Sequence, residues 1–193
     1  MVGFGPGARS DDDRTVLEAT ADGWWYAARL PNGTAVAAFM TDDDLLPRGH
    51  DNVRRFWEER LQTAPLARAV WADPTDVSDL QVRFAGSVRL DRVGGPVWIA
   101  LGDAAAAFDP LSAQGILKAL ESGERGAAQI AALLHENVNA ANTYSAWLDA
   151  TFATYLRNYF HYYRQVTRWP ASTFWQRRQR TPAPEAATER TVE

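Results

Sequence analysis

The amino-acid sequence predicts an α/β fold with α+β character, on the evidence of three patterns. Two runs of β-favouring residues, 24–30 and 34–40, predict a hairpin. A continuous apolar run over 96–101 ends at a Gly-Asp pair, which is typical of a strand buried on both faces. The second half of the chain predicts two long helices, one over 116–134 that is rich in Ala and Leu and one over 140–168 whose apolar residues recur at helical spacing. We therefore expect a β-sheet followed by long C-terminal helices.

Composition excludes several classes of function. The chain has 193 residues, 46% hydrophobic and 23% charged, which is the balance of an ordinary globular protein. It has no cysteine, so disulfides, thiolate metal sites and cysteine nucleophiles are excluded. The net charge of -4 argues against a nucleic-acid partner. Without an apolar run of about 18 residues or an apolar signal segment, we expect no transmembrane segment and a cytoplasmic location.

The predicted hairpin turns at Pro31-Asn32-Gly33. Asn-Gly is the strongest short hairpin signal because both residues accept positive φ. A two-residue turn would place Leu30 opposite Ala35 and Tyr26 opposite Phe39. Aromatic pairs across strands stabilise a sheet, so we expect this hairpin to be well ordered.

Other segments have simpler patterns. Residues 51–63 predict a helix that Asp51 or Asn52 can cap. Evenly spaced apolar residues over 81–90 predict an extended segment. The helix over 116–134 is expected to be interrupted or bent near 123–126, where two glycines lie.

The last predicted helix, 140–168, carries one continuous stripe of large apolar side chains. Its members are Leu148, Phe152, Tyr155, Tyr159, Tyr162 and Val166. Packing in the core explains such a stripe, and the alternative is a surface that contacts a bound substrate or a partner protein.

The segment from 97 to 123 holds the residue types of a nucleotide-type cofactor site. Asp103 follows the predicted strand, and open α/β sheets bind ligands at the carboxyl ends of their strands. Gly102 lets another molecule approach the backbone closely, and small side chains follow it. After Asp109-Pro110, residues 112–115 lead into a helix. The N–H groups at the start of a helix favour an anion or an electron-rich carbonyl.

This segment resembles the second flavin-binding motif of FAD-dependent monooxygenases, flavin-dependent halogenases and geranylgeranyl-reductase-like oxidoreductases. The matching residues are Gly102, Asp103, Ala104, Ala105, Asp109, Pro110 and Gly115. The resemblance implies that Asp103 binds the ribityl chain of FAD and that the backbone of 112–115 lies near the pyrimidine edge of the isoalloxazine ring. It assigns cofactor binding to Gly102, Asp103, Ala104, Asp109, Pro110, Ser112, Ala113, Gln114 and Gly115. Ala106 stands where hydroxylases often have histidine, and the Asp-Pro form is closer to the halogenase and reductase branches.

A second, partial resemblance lies in the hairpin. Gly23-Trp24-Trp25-Tyr26 with Leu30-Pro31 is similar to the Gly-Trp-x-Trp-x-Ile-Pro strand of flavin-dependent halogenases. It implies that the hairpin belongs to a substrate-domain sheet, with Trp24 and Tyr26 beside the substrate; the alternative is that both lie in the sheet core. Residues 164–175 are similar to the tail of halogenase-like proteins, some of which mature quinone cofactors in oxidases.

The βαβ unit with GxGxxG that opens this family has no counterpart in the chain. Residues 3–7 are glycine-rich, but no full strand precedes them, no apolar helix follows them, and the acidic residues at 11–13 would repel a pyrophosphate. We therefore expect the C-terminal portion of a flavoprotein, without the catalytic lysine of true halogenases.

The resemblance divides the chain into five expected regions. They are an irregular N-terminus over 1–14, a substrate-domain sheet and helix over 15–90, the C-terminal part of an FAD-binding domain over 91–135, a helical region over 136–180 and a disordered tail over 181–193.

The first hypothesis is an FAD-dependent oxidoreductase of the monooxygenase and halogenase-like group. NAD(P)H or a partner reductase would reduce the flavin, and an organic small molecule or a peptide would be the substrate. The alternatives are a non-catalytic remnant that binds a partner, and one chain of a split flavoenzyme whose N-terminal half is separate. Flavoproteins of this kind need few acid–base side chains, because the cofactor performs the redox chemistry.

Other polar residues have simpler interpretations. Asp103 could instead cap a backbone turn, and Asp109 could cap its loop rather than line a flavin pocket. The histidines at 50, 135 and 161 are isolated, so no metal site is expected. The arginines at 164, 168, 177, 178 and 180 are expected on a solvated helix face, with a docking surface for an acidic partner as the alternative.

Overall fold

A computed structural model describes residues 1–9, 12–73, 75–135 and 140–179. The chain divides into two compact units, one formed by 1–83 with 163–193 and the other by 84–162. Both strands and helices are present, which confirms the predicted mixed class. Within the described ranges, no helix is both long and apolar enough to cross a membrane. The expected tail over 181–193 lies outside the described residues.

The first unit is built on an antiparallel five-stranded sheet with the strand order β2-β3-β4-β1-β5. The strands are β1 Val2–Pro6, β2 Val16–Thr20, β3 Gly23–Arg29, β4 Thr34–Met40 and β5 Ser78–Gln81. Three helices belong to the same unit: α1 His50–Gln62, α2 Pro65–Ala69 and α5 Thr173–Gln179.

Tryptophans form the core of the first unit. The ring of Trp25 on β3 lies 4.8 Å from that of Phe39 and 5.4 Å from that of Trp57, centroid to centroid. Trp57 on α1 in turn lies 5.2 Å from Trp71, at an edge-to-face angle of 68°. Tilted and edge-to-face contacts are the preferred arrangements of aromatic rings, so these four residues pack α1 against the sheet.

The N-terminus is a strand over Val2–Pro6 where an irregular segment was expected. Its buried glycines leave room for neighbouring residues to pack closely against the strand. A Cβ on Gly3 would lie 2.7 Å from Val77 Cγ2, and one on Gly5 would lie 2.5 Å from Trp71 Cζ2. The glycine-rich sequence therefore serves close packing in a sheet.

The hairpin is confirmed, but its predicted register was wrong by one residue. Trp25 pairs with Phe39 and Tyr26 with Ala38. The Gly33 N–H donates to the Leu30 carbonyl at 3.0 Å, and Gly33 has a φ of 81°. Three residues therefore form the loop, a type I turn closed by a glycine bulge. Proline at its first position favours this turn over the two-residue one.

The helix predicted over 51–63 is confirmed as α1, but neither predicted cap is used. Gly49 is the N-cap residue, with a φ of 91°, and no side chain caps the helix. The side chain of Asn52 instead donates to the Arg48 carbonyl at 2.8 Å. Asn52 therefore fixes the preceding turn rather than the first amides of the helix.

The second unit has short strands and two long helices. The strands are β6 Val88–Arg89, β7 Gly94–Gly95, β8 Trp98–Ile99 and β9 Ala106–Ala107, paired β6 with β9 and β7 with β8. The helices are α3 Gly115–Leu134 and α4 Ala140–Arg164, and the last two residues of α4 belong to the first unit. Helix α3 is continuous through both glycines at which an interruption was expected, and Gly126 leaves space for the side chain of Leu101.

The buried strand predicted over 96–101 was wrong, and the segment predicted to be extended over 81–90 lies mostly outside strands. Over 81–90, only Gln81, the last residue of β5, and the two residues of β6 are in strands. The apolar run over 96–101 has only two strand residues, and Val97 is 93% exposed. Both patterns carry hydrophobic residues, but in the described chain no strand pairing covers more than two consecutive residues of either segment.

Two of the C-terminal arginines, which lie on helix α5, form ion pairs with the aspartates that follow β4. Arg177 contacts Asp44 at 2.6 Å and Asp42 at 2.8 Å, and Arg178 contacts Asp42 at 2.6 Å. Hydrogen bonding from the Arg177 guanidinium lowers the pKa of the Asp44 carboxyl, and the two carboxylates raise the pKa of Arg177. These arginines thus form a network within the unit.

We predict that Gly5→Ala lowers the free energy of unfolding by about 1–3 kcal/mol, because the added methyl group overlaps the Asp76 carbonyl oxygen and the Trp71 ring. Urea unfolding followed by tryptophan fluorescence measures the change. Gly123→Ala is the matched control: its Cβ meets nothing within 4 Å, so the same substitution should cost no stability. Equal stability of the Gly5 variant and the unchanged chain would contradict this packing.

We predict that the Asp44–Arg177 ion pair makes the free energy of unfolding depend on pH. The pKa of Asp44 is lowered in the folded chain, so its contribution is present above the ordinary carboxyl pKa and is lost as the pH falls through the folded value. Arg177→Gln should reduce stability at about pH 7 more than at about pH 3. Urea unfolding at both values checks this, and an equal loss at both would contradict it.

Candidate functional site

The Gly-Asp segment forms a loop in the second unit that leads into α3. Two single 3-10 turns, Gly102–Ala104 and Pro110–Ser112, lie on either side of β9. Gly102 has a φ of 56°, in the region that favours glycine. Its N–H donates to Ser122 Oγ at 2.8 Å, and that hydroxyl lies 2.6 Å from the Tyr144 hydroxyl. Both side chains are buried, so the start of the loop is anchored to α3 and α4.

Asp103 is held by a buried lysine. Lys118 on α3 is 2% exposed, and its Nζ lies 2.7 Å from Asp103 Oδ1. The same ammonium donates to the Ala106 carbonyl and lies 4.3 Å from the centre of the Phe108 ring. The Asp103 side chain itself is 75% exposed. A buried ammonium thus holds a carboxylate that faces solvent.

Asp109 both caps its loop and lines a cavity. Its Oδ1 accepts from the Leu111 N–H at 2.9 Å, and its own N–H donates to the Tyr155 hydroxyl at 2.9 Å. The Tyr155 hydroxyl also contacts Ser87 Oγ, and its ring stacks on Phe108 at 4.2 Å with an interplanar angle of 9°. Asp109 thus caps its loop, and its assignment to a flavin pocket stays a prediction.

The cavity beside Asp109 has a volume of about 250 Å³. Its walls come from the loop and from α4: Asp109, Leu111, Ser112, Gln114, Tyr155, Asn158, Tyr159 and Tyr162. Flat rings alternate here with amide, hydroxyl and carboxylate groups. Such a surface suits a planar group that also forms hydrogen bonds.

The entrance to α3 offers backbone N–H groups. Ala113 has a φ of 51°, the left-handed conformation, and Ser112 Oγ accepts from the Gln114 N–H at 3.4 Å. The helix begins at Gly115, and in the described chain no side chain caps it. The first amides of a helix lack partners within the helix and carry partial positive charge, which suits an electron-rich ligand atom.

The structure thus places all nine predicted cofactor residues in one loop. Four of them, Asp109, Ser112, Ala113 and Gln114, lie at the cavity or in the turn beside it, and Gly102, Asp103 and Ala104 lie at the Lys118 side. The other two, Pro110 and Gly115, begin the second 3-10 turn and α3.

The two substrate candidates lie on β3 in the first unit. Trp24 is buried, and its indole N–H donates to the Tyr163 hydroxyl at 2.8 Å. Tyr26 is partly exposed. Their assignment to a substrate stays a prediction.

Sequence reasoning missed Lys118, Ser122 and Tyr144. The buried residues of α3 recur every four positions along the helix: Lys118, Ser122 and Gly126. The opposite surface of the helix exposes large apolar side chains: Ile116, Leu117, Leu120, Ile130 and Leu134. The signal was available, because Lys118 is the sole lysine of the chain.

Among the residues that the structure describes, no group of three or more acidic or histidine side chains could hold a metal ion. The candidate site combines backbone amides, the Asp103–Lys118 ion pair and aromatic walls.

Comparison with known proteins connects this geometry to flavoenzymes. No protein-family model matches the chain. It is 31% identical over 183 residues to a Marinomonas mediterranea protein named FAD-dependent oxidoreductase LodB, covering 92% of this chain and 49% of that protein. The solved structure described as peptidyl tryptophan dihydroxylase QhpG, essential for tryptophylquinone cofactor biogenesis, matches with a TM-score of 0.81 and 25% identity. That match covers 96% of this chain and 44% of QhpG.

The flavin-dependent halogenase CmlS has the same fold, with a TM-score of 0.79 at 18% identity over 95% of this chain and 35% of that one. The chain therefore resembles FAD-dependent oxidoreductases in sequence and shares the fold of the halogenase and monooxygenase group, which confirms the resemblance inferred from the Gly-Asp motif. It spans about half the length of the relatives it matches, or less.

We predict that Tyr155→Phe loosens the loop, because it removes the hydroxyl that accepts from the Asp109 N–H while the stacked ring stays. The expected loss in unfolding free energy is about 1–3 kcal/mol. Hydrogen exchange should also be faster at the Asp109 amide. Tyr162→Phe, which removes the hydroxyl of an exposed tyrosine, is the control. Unchanged exchange at Asp109 would show that this hydrogen bond does not hold the loop.

Proposed function

We propose that the chain is part of an FAD-dependent oxidoreductase of the monooxygenase and halogenase-like group, and that it forms one side of the flavin site. The supporting observation is the loop from Gly102 to Gly115, which presents an exposed carboxylate and an uncapped helix N-terminus in one segment. The similarity to LodB and QhpG over more than nine-tenths of the chain supports the same conclusion.

The residues of this loop fit the groups of a flavin. Asp103 would accept a hydrogen bond from a ribityl hydroxyl, and Gly102 would let that chain approach the backbone. The amides of 112–115 would lie toward the pyrimidine edge of the ring, where positive partial charge favours the reduced form. Bound FAD would supply the redox chemistry, and NAD(P)H or a partner reductase would supply its electrons.

We propose an aromatic substrate, either an organic small molecule or the side chain of a peptide. The cavity of about 250 Å³ is small for a whole ligand and suits a single ring system. Its tyrosines would contact the faces of that ring, and Asn158 and Gln114 would bind polar atoms on its edge. The description of QhpG as a peptidyl tryptophan dihydroxylase supports a peptide as the carrier of the ring.

A second candidate function is binding without turnover, either as one chain of a split flavoenzyme or as a partner of another protein. The exposed apolar surface of α3 supports it, because exposed patches of this kind often mark interaction sites. This candidate predicts that the chain alone does not retain flavin.

Titration of the purified chain with FAD, followed by its visible spectrum, tests the proposal. We expect saturable binding of one FAD, which Asp103→Asn weakens by about tenfold because a hydrogen bond to a charged acceptor is lost. Asp91→Asn, which changes another exposed acidic residue of the same unit, should bind FAD like the unchanged chain.

Absence of FAD binding by a chain that circular dichroism shows to be folded would favour the second candidate function. Equal affinities of the Asp103 and Asp91 variants would leave flavin binding in place but remove Asp103 from the site.

A further inference from the structure

The burial of Lys118 needs an explanation beyond stability. It is the sole lysine, and every other cation among the 20 lysine and arginine residues is arginine. Removing an ammonium from water costs several kcal/mol, and an apolar side chain of similar volume is often as stable or more so. A compact ammonium with three donors has properties that arginine lacks. Its contacts indicate what that group does at this position.

Lys118 contacts one oxygen of Asp103 and leaves the other open. Nζ lies 2.7 Å from Oδ1, whereas the structure gives Oδ2 no hydrogen-bond partner among the described residues. The ammonium is fixed in turn by the Ala106 carbonyl and by the ring of Phe108. An exposed aspartate is normally free to rotate, but this one is tied to a buried charge. The arrangement fixes the direction in which Oδ2 faces solvent.

We propose that Lys118 is a positioning residue, which holds Asp103 so that its second oxygen accepts a hydrogen bond from a ribityl hydroxyl of the flavin. This inference rests on the proposed function, and it adds a residue that contacts the cofactor only through Asp103. Fixing an acceptor before binding lowers the entropy lost on binding. Lys118 would therefore affect only those ligands that carry the ribityl chain.

Two flavins separate this role from a structural one. Riboflavin carries the ribityl chain, and lumiflavin has the same ring system without it. We expect Lys118→Met to weaken riboflavin binding by about tenfold and to leave lumiflavin binding unchanged. Asp103→Asn should give the same pattern, and the double variant should lose no more than either single variant. Arg125→Met removes a positive charge from the exposed surface of the same helix and should change neither affinity.

Three results would overturn the inference. Lys118→Met could weaken both flavins equally, which would indicate a structural role. It could change neither affinity, or its effect could add fully to that of Asp103→Asn, which would show that the residues act independently. If the unchanged chain bound neither flavin, the proposed function would fail and this inference with it, and the unchanged chain alone would reveal that case.

A second measurement uses the unchanged chain and therefore tests the positioning role even if Lys118→Met does not fold. Because the chain has one lysine, labelling with ¹⁵N-lysine gives a single side-chain ammonium signal in the NMR spectrum. We expect riboflavin to shift this signal more than lumiflavin does, since only riboflavin reaches the partner of the ammonium. Equal shifts with the two flavins would contradict the positioning role.

Discussion

The buried ammonium of Lys118 is the constraint on which the loop of the second unit depends. A charge removed from water must be compensated, and here the compensation comes from the Asp103 carboxylate, the Ala106 carbonyl and the Phe108 ring. All three lie within six residues, so one side chain fixes the course of the loop. Phe108 then stacks on Tyr155, whose hydroxyl binds the Asp109 N–H. The contacts of Lys118 are therefore linked through Phe108 and Tyr155 to the wall of the cavity.

Helix α3 can support this loop because its buried surface is polar and small. Lys118 fixes Asp103, Ser122 accepts from the Gly102 N–H, and Gly126 leaves space for Leu101, so successive turns of the helix contact residues on both sides of the Gly-Asp pair. On its other side, the same helix exposes apolar residues such as Ile116 and Leu134. The buried and exposed surfaces of α3 therefore invert the usual amphipathic pattern.

Local sequence patterns predicted where strands and helices lie better than they predicted which elements pair or pack together. The Asn-Gly signal located the hairpin, but the register depends on which turn forms, and Pro31 favours the three-residue loop. The apolar run around Val97 indicated a buried strand, although burial is decided by neighbours that are distant in sequence. The Gly-Asp motif located the candidate site through its resemblance. Lys118 was missed because single charged residues in a helix are usually exposed, and its uniqueness in the composition was the available signal.

The aromatic stripe of α4 shows why core packing and ligand contact need not be alternatives. Near the start of the stripe, Leu148 is buried and Phe152 contacts Phe108, as core residues do. At Tyr155 the same surface reaches the loop, and a hydroxyl is present where a backbone N–H needs an acceptor. Tyr155 also lines the cavity, together with Tyr159 and Tyr162 in the next two turns. One surface of α4 thus extends from the core to the cavity. The change from phenylalanine to tyrosine along it follows the change in surroundings, since a hydroxyl is favoured only where it meets a polar group or water.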